Sequence, residues 1–102
     1  MHSGIDFMAD SGIAIHSAAG GKVTFSGDHT QYGRLIEIDH GNGLVTRYAH
    51  ASKLLVGRGA VVLPGERIAL VGSTGRSSGP HLHFEVLSDG QYLNPMALLD
   101  RR

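Results

Sequence analysis

The 102-residue sequence contains no cysteine and no tryptophan, and it has only three prolines. Without cysteine the chain can form neither a disulfide nor a thiolate metal site. Basic and acidic residues balance at nine each, which argues against a broad basic surface for nucleic acid or an anionic membrane. No apolar run approaches the roughly 20 residues that a membrane-spanning helix needs. The composition therefore fits one folded domain whose reactive groups are nitrogen and oxygen side chains.

Glycine and histidine are abundant instead, with 15 and seven copies. Many glycines are typical of short strands joined by tight turns. No stretch longer than about two turns has helical periodicity, whereas several segments alternate between apolar and polar residues, as strands do. Asn42-Gly43 is a strong hairpin signal between two such segments. We therefore predict a nearly all-β fold that ends in a short helical turn, with Asn94 as its cap and Pro95 at its first position.

A faint internal repeat links residues 22–38 with residues 67–86. Each segment consists of a strand, a glycine, a polar loop and a second strand. Any two β-hairpins share such a pattern, so the repeat by itself does not establish a duplication. It is consistent with a sheet that is built from two similar units.

The clearest alternation covers residues 81–86, where apolar and polar side chains take opposite faces. A strand rises about 3.3 Å per residue, so His81 and His83 should emerge about 7 Å apart and point the same way. Two such imidazoles can share a metal, or divide the work of metal ligand and acid–base catalyst. A surface strand with two solvated histidines is the alternative. Glu85 shares their face and could orient an imidazole, but we favour a solvated charge.

Two other segments carry candidate site residues. His2 and Asp6 would lie about 13 Å apart on a straight strand, although Gly4 allows the chain to bend between them. His50 lies on the return strand of the predicted hairpin. A catalytic zinc commonly takes three histidine or carboxylate ligands and leaves a fourth position for water. Two histidines and one aspartate would meet that requirement and leave two histidines for proton transfer, although such a set could also bind iron.

Taken together, these motifs resemble the LytM/lysostaphin-type zinc metallopeptidases of bacterial cell walls, also called the M23 family. The resemblance covers almost the whole chain. The matching segments are residues 2–7, 18–23, 32–33, 38–43, 46–50, 71–85 and 94–95.

The resemblance implies one zinc ion per chain, bound by His2, Asp6 and His83, with His50 and His81 acting in catalysis. The implied reaction is metal-assisted hydrolysis of peptide cross-links in peptidoglycan. One catalytic histidine would take a proton from water, and the other would stabilise the oxyanion or protonate the leaving amine. The sequence does not divide these two roles. The implied fold is all-β, an antiparallel two-layer hybrid of sandwich and barrel with internal duplication, known as the duplicated hybrid motif.

The resemblance also implies a context for the domain. We expect residues 1–102 to form a single peptidase domain, excised from a longer chain and lacking the strand that usually precedes the first zinc ligand. We expect a monomer in the cell envelope, periplasmic or extracellular, with its signal or anchor upstream. The sequence of residues 48–54 looks more like that of Gram-negative family members, which favours D-alanyl–diaminopimelate cross-links over glycine bridges as the substrate.

Several alternatives compete with this interpretation. Non-enzymatic relatives that activate other wall hydrolases have typically lost metal ligands, whereas this chain keeps them. A phosphoryl carrier would have no use for His2 and Asp6, and a lipoyl- or biotinyl-type carrier would need a lysine at a hairpin tip. Tyr48 could line the groove or fill a cross-strand pair. The remaining histidines are expected to be structural or solvated; they are His16, His29 and His40.

Overall fold

The computed structural model describes residues 4–94, and these residues form nine β-strands and no helix. The all-β prediction is therefore confirmed, while the helical turn predicted from Pro95 lies outside the described residues. The described part also contains no helix long and apolar enough to cross a membrane. The strands are β1 (Ile5–Met8), β2 (Ala14–His16), β3 (Gly21–His29), β4 (Gly33–Gly41), β5 (Leu44–Leu54), β6 (Val61–Val62), β7 (Arg67–Val71), β8 (His81–Ser88) and β9 (Gln91–Leu93).

All the ladders between the described strands are antiparallel. The main path runs β1-β8-β5-β4-β3-β6, with β9 added to β8. β7 leaves this path by pairing with the end of β5, and β2 pairs with β7. The hydrophobic core takes Ile15 and Ile68 from the branch and Ile36 and Val86 from the main path. The core therefore lies between the branch and the main path, which gives the two layers.

The predicted hairpin joins β4 to β5. Asn42 and Gly43 have φ angles of 53° and 79°, the left-handed values that a tight two-residue hairpin turn of this kind requires. The ladder that follows places Glu37 opposite Arg47 and Ile36 opposite Tyr48. This register aligns a charged pair on one face of the sheet and an apolar pair on the core face.

β7 and β8 enclose the loop that forms one wall of the site. Unlike β3 and β4, which pair with each other, β7 and β8 each pair with β5 and meet only at an isolated bridge between Gly72 and His81. The loop of residues 73–80 approaches the start of β4, where Gly33 has φ +66°. A Cβ at Gly33 would collide with the Thr74 backbone, so glycine permits this close approach.

Candidate metal and catalytic site

Two of the predicted zinc ligands lie opposite each other on adjacent strands. The β1–β8 register pairs Asp6 with His83, and directly opposed residues project from the same face of a sheet. Asp6 Oδ1 lies 2.7 Å from His83 Nδ1. One strand pairing therefore brings together two residues that are 77 positions apart in the sequence.

The other ring nitrogen of His83 contacts Glu85. His83 Nε2 lies 2.9 Å from Glu85 Oε2, and Glu85 is 0% exposed. Our expectation that Glu85 is a solvated charge is therefore wrong. The side chain is covered because Tyr32 and Arg47 reach it from other strands and loops. The hydrogen bond with Glu85 raises the pKa of His83, against the lowering effect of burial, and Asp6 raises it further.

His81 is oriented by the loop that precedes it. Its Nδ1 lies 2.9 Å from the Gly79 carbonyl oxygen and 3.1 Å from Ser77 Oγ. A carbonyl oxygen only accepts, so Nδ1 carries a hydrogen and Nε2 is the nitrogen that faces the other site residues. His81 Nε2 is 3.5 Å from Asp6 Oδ1. The free nitrogen of His81 therefore points toward the predicted metal ligands.

His50 lies where β5 changes partners. The ladder with β8 ends at Ala49, and the ladder with β7 begins at Ala51. Between them His50 has φ +64°, an uncommon value for a non-glycine residue. On a regular strand His50 would share the face of Tyr48 and point into the core. The irregular backbone turns it into the site instead.

The His50 ring is fixed in the same way as the His81 ring. Its Nδ1 lies 2.7 Å from the Thr74 carbonyl oxygen, so Nδ1–H donates and Nε2 remains an acceptor. The backbone N–H of His50 donates to the Tyr32 carbonyl oxygen at 2.7 Å. Burial lowers the pKa of His50, and the neighbouring imidazoles lower it further. These effects outweigh the raising effect of the Thr74 hydrogen bond and favour the neutral ring, which is the form that a proton acceptor requires.

These side chains share one pocket of about 440 Å³. The His50 ring centroid lies 5.0 Å from that of His81 and 6.1 Å from that of His83. Arg76 also lines the pocket and contributes a cationic side chain. Four of the five predicted site residues thus lie together, and the fifth, His2, lies outside the described residues.

The residues present suit a zinc ion in part. Within residues 4–94, no group of three or more histidine, cysteine, aspartate or glutamate side chains is arranged to hold a metal ion. Asp6 and His83 nevertheless bring one carboxylate oxygen and one imidazole nitrogen to the same point, and zinc binds both kinds of donor. Their donor chemistry fits two ligands of a zinc site.

Tyr48 does not line the pocket. It is 1% exposed, and its ring centroid lies 5.3 Å from that of Phe84, its cross-strand partner. Its hydroxyl accepts a hydrogen bond from Ala18 N at 2.9 Å. Of the two alternatives weighed for Tyr48, the structure therefore confirms the cross-strand pair.

The histidines predicted to be structural or solvated lie outside the pocket. His40 Nδ1 donates to the Gly20 carbonyl oxygen at 2.7 Å, and its Nε2 lies 2.6 Å from Thr46 Oγ1. His29 Nδ1 accepts hydrogen bonds from backbone N–H groups of its own loop. His16 is exposed at the end of β2.

Sequence reasoning missed the role of Tyr32 at the site. Its ring stacks on His83 with 6.1 Å between centroids, and its hydroxyl donates to Glu85 Oε2 at 2.8 Å. Tyr32-Gly33 was among the matching segments, but nothing in a polar loop indicates which side chain will reach a strand some 50 residues away. The only available signal was an aromatic residue beside a glycine.

Comparisons with known proteins bear on this arrangement. The model of the family described as peptidase family M23 matches residues 1–95. The chain is 45% identical over 98 residues to the DD-carboxypeptidase/endopeptidase Mpg of Neisseria meningitidis, covering 96% of this chain and 23% of that protein. It is 42% identical over 95 residues to the peptidoglycan DD-endopeptidase ShyA of Vibrio cholerae, covering 93% and 22%. The chain thus spans less than a quarter of the length of these curated relatives.

Two solved peptidase structures superpose closely on this chain. The catalytic domain of the antimicrobial peptidase lysostaphin from Staphylococcus simulans superposes with a TM-score of 0.91 at 33% identity, covering 98% of this chain and 80% of that one. A zinc-containing peptidase from Vibrio cholerae superposes with a TM-score of 0.88 at 42% identity, covering 90% and 28%. The match to lysostaphin's catalytic domain covers most of both chains, so the fold described above is similar to that domain as a whole.

Proposed function

Because the chain belongs to peptidase family M23, we propose that it is the catalytic part of a zinc metalloendopeptidase that hydrolyses peptide cross-links of bacterial peptidoglycan. The observation that carries the proposal is the convergence of Asp6, His83, His81 and His50 on one pocket. The names of two relatives, which describe peptidoglycan DD-endopeptidase and DD-carboxypeptidase/endopeptidase activities, support the same reaction class.

In this proposal His2, Asp6 and His83 hold one zinc ion. When bound, zinc polarises the scissile carbonyl and activates water near neutral pH. Asp6 Oδ1 and His83 Nδ1 are the two described donor atoms, 2.7 Å apart. The ladder between β1 and β8 fixes their relative position, because both belong to regular strands.

His50 and His81 move the proton. Each ring is tethered through Nδ1–H and offers Nε2 to the pocket. Since burial lowers the pKa of His50 and so favours its neutral form, we assign it the acceptance of a proton from the attacking water. His81 acts as the acid when Nε2 also holds a proton: it then stabilises charge on the carbonyl oxygen, or hands that proton to the leaving amine nitrogen as the C–N bond breaks, and the proton that His50 took from water balances the one given up. The reaction then yields a free carboxylate and a free amine.

We further propose that the bond cut is the D-alanyl–diaminopimelate cross-link and that the protein acts as a monomer in the cell envelope. The support is the similarity of 42–45% to relatives named for DD-peptidase activity, against 33% to lysostaphin. Peptide cross-links are the proposed partner; the formal net charge of zero argues against nucleic acid as a partner.

Muropeptide mass spectrometry tests the proposal. Zinc-loaded protein is incubated with purified cross-linked dimers, and conversion to monomers with the gain of one water per bond is expected. A His50→Ala variant serves as the matched control for contaminating hydrolases. Intact dimers in the presence of zinc-loaded protein would contradict the proposal, and would favour the alternative in which the domain binds and activates other wall hydrolases.

A further inference from the structure

Glu85 is a buried carboxylate that touches a predicted zinc ligand. It lies two residues after His83 on β8, is 0% exposed, and places Oε2 2.9 Å from His83 Nε2. An ionised carboxylate can only accept hydrogen bonds. His83 Nε2 therefore carries a hydrogen. Nδ1 faces Asp6 Oδ1 at 2.7 Å and, without a metal, carries one as well, because this carboxylate too only accepts.

The carboxylate itself is held from two sides. Tyr32 donates from its hydroxyl to Oε2 at 2.8 Å. Arg47, the cross-strand partner of Glu85 on β5, lies 3.4 Å from Oε1 through Nη1. Arg47 in turn donates from Nε to Glu37 Oε2 at 2.7 Å on β4. A row of charges thus crosses three adjacent strands and ends at His83.

A stabilising role alone explains this arrangement poorly. Removing a charged pair from water costs several kcal/mol per ion, and apolar replacements of buried pairs are often neutral or stabilising. The geometry has a specific consequence instead: Glu85 holds the hydrogen on Nε2 and sets the ring plane of His83, which leaves Nδ1 as the nitrogen that a metal can use. Histidines that bind metals depend on such outer hydrogen bonds for their orientation.

We propose that Glu85 is a positioning residue that holds His83 with Nε2–H bonded to its carboxylate, so that Nδ1 is the atom offered to the metal. Tyr32 and Arg47 fix Glu85 for this task. This inference rests on the proposed function insofar as His83 is a zinc ligand. The residues Tyr32, Arg47 and Glu85 therefore belong to the metal site although none of them binds the ion.

The test measures zinc affinity by competition with a chelator, together with ¹⁵N NMR of the His83 ring in the zinc-loaded protein. Glu85→Gln keeps the size of the side chain but removes its charge and one acceptor oxygen. We expect zinc affinity to fall by about 10- to 100-fold and the Nε2–H signal of His83 to shift. When Glu85→Gln is saturated with zinc, its turnover should be much closer to the wild-type value than its zinc affinity is.

Thr46→Val is the matched control for general damage to the fold. Thr46 is 1% exposed on β5 and contacts His40 and Tyr48 instead of Glu85 or His83. This variant should lose stability yet keep wild-type zinc affinity. If both variants weakened zinc binding equally, the role of Glu85 would be one of stability only, and the inference would be wrong.

Tyr32→Phe provides a second route if Glu85→Gln does not fold. It removes one donor to Glu85 while keeping the aromatic ring that stacks on His83. A loss of zinc affinity of a few-fold is expected. Wild-type affinity with unchanged ¹⁵N shifts in the folded variants would overturn the inference. Failure of the unaltered protein to bind zinc would instead count against the proposed function, so the two failures are distinguishable.

Discussion

His50 and His81 lie with 5.0 Å between ring centroids, and both rings donate Nδ1–H to carbonyl oxygens of one loop. His50 donates to Thr74 and His81 to Gly79. The loop of residues 73–80 therefore sets the tautomer of both proposed catalytic histidines. Moving this loop would therefore reorient both rings.

The two histidines of β8 should have separable effects. Replacing His83 with alanine removes a proposed ligand, so zinc and nearly all hydrolysis should be lost. Replacing His81 with alanine should leave zinc bound, while the rate falls by roughly 10²–10⁴-fold as acid–base catalysis is lost. His50→Ala should behave like His81→Ala. Zinc content and muropeptide turnover are measured together for each variant.

The reverse pattern, with zinc lost from His81→Ala and kept by His83→Ala, would exchange the assigned roles. If both variants kept zinc and full activity, β8 would be a surface feature and the peptidase proposal would fail. Circular dichroism of each variant checks that the fold is retained.

Gly33 should be more sensitive to substitution than a glycine of similar backbone conformation elsewhere. Gly33→Ala forces a Cβ against the Thr74 backbone, whereas a Cβ at Gly41, also with positive φ, meets nothing within 4 Å. Both variants carry backbone strain of about 1–2 kcal/mol. Gly33→Ala should lose about 1–3 kcal/mol more in the free energy of unfolding, from the clash. Urea denaturation gives both values.

The same substitution should also reduce catalysis. Displacing Thr74 moves the carbonyl oxygen that holds His50, and small misplacements of a catalytic group cost rate. We expect kcat to fall in Gly33→Ala and to stay near wild type in Gly41→Ala. Equal kcat values in the two variants would contradict the role given to the loop.

Arg76 should contribute to recognition of an acidic substrate. It is exposed and lines the pocket beside the proposed catalytic groups. Arg76→Gln removes a charge-assisted hydrogen bond to a substrate carboxylate, worth roughly 1.5 kcal/mol, so KM should rise about tenfold with kcat little changed. Arg58→Gln, at an exposed arginine outside this pocket, is the control. A substrate with amidated carboxylates should show no difference between wild type and Arg76→Gln; a persistent difference would refute carboxylate recognition.

Alkaline pH should destabilise the fold in part through Tyr48. Burial raises the pKa of Tyr48 above its ordinary value of 10.0. Below pH 10 the phenol is protonated in both states and its contribution is constant. As pH rises above 10, the unfolded chain releases the proton first, so stability falls until the raised folded pKa is passed.

Stability of Tyr48→Phe should decline less steeply above pH 10 than that of the wild type, as measured by urea denaturation across this range. A common slope for wild type and Tyr48→Phe above pH 10 would contradict the argument.

Local patterns predicted much of the fold correctly. The Asn42-Gly43 turn and the alternating residues of β8 have short-range causes, because turn geometry and the two-residue period depend on adjacent residues. The spacing of the motifs also grouped Asp6, His50, His81 and His83, through their resemblance to a family. The prediction for the surroundings of Glu85 was wrong: its place on a polar face suggested a solvated side chain, whereas the side chain is buried.

The sequence by itself determined the strands, the β4–β5 hairpin and the chemical types of the site residues. Tertiary structure decided where those residues point. His50 leaves the face of Tyr48 only because β5 exchanges β8 for β7 at that residue, and Glu85 is buried only because Tyr32 and Arg47 cover it. Strand alternation is a property of consecutive residues. The exchange of strand partners and the burial of a side chain depend on contacts between segments that are distant in the chain, so a local sequence pattern does not predict them.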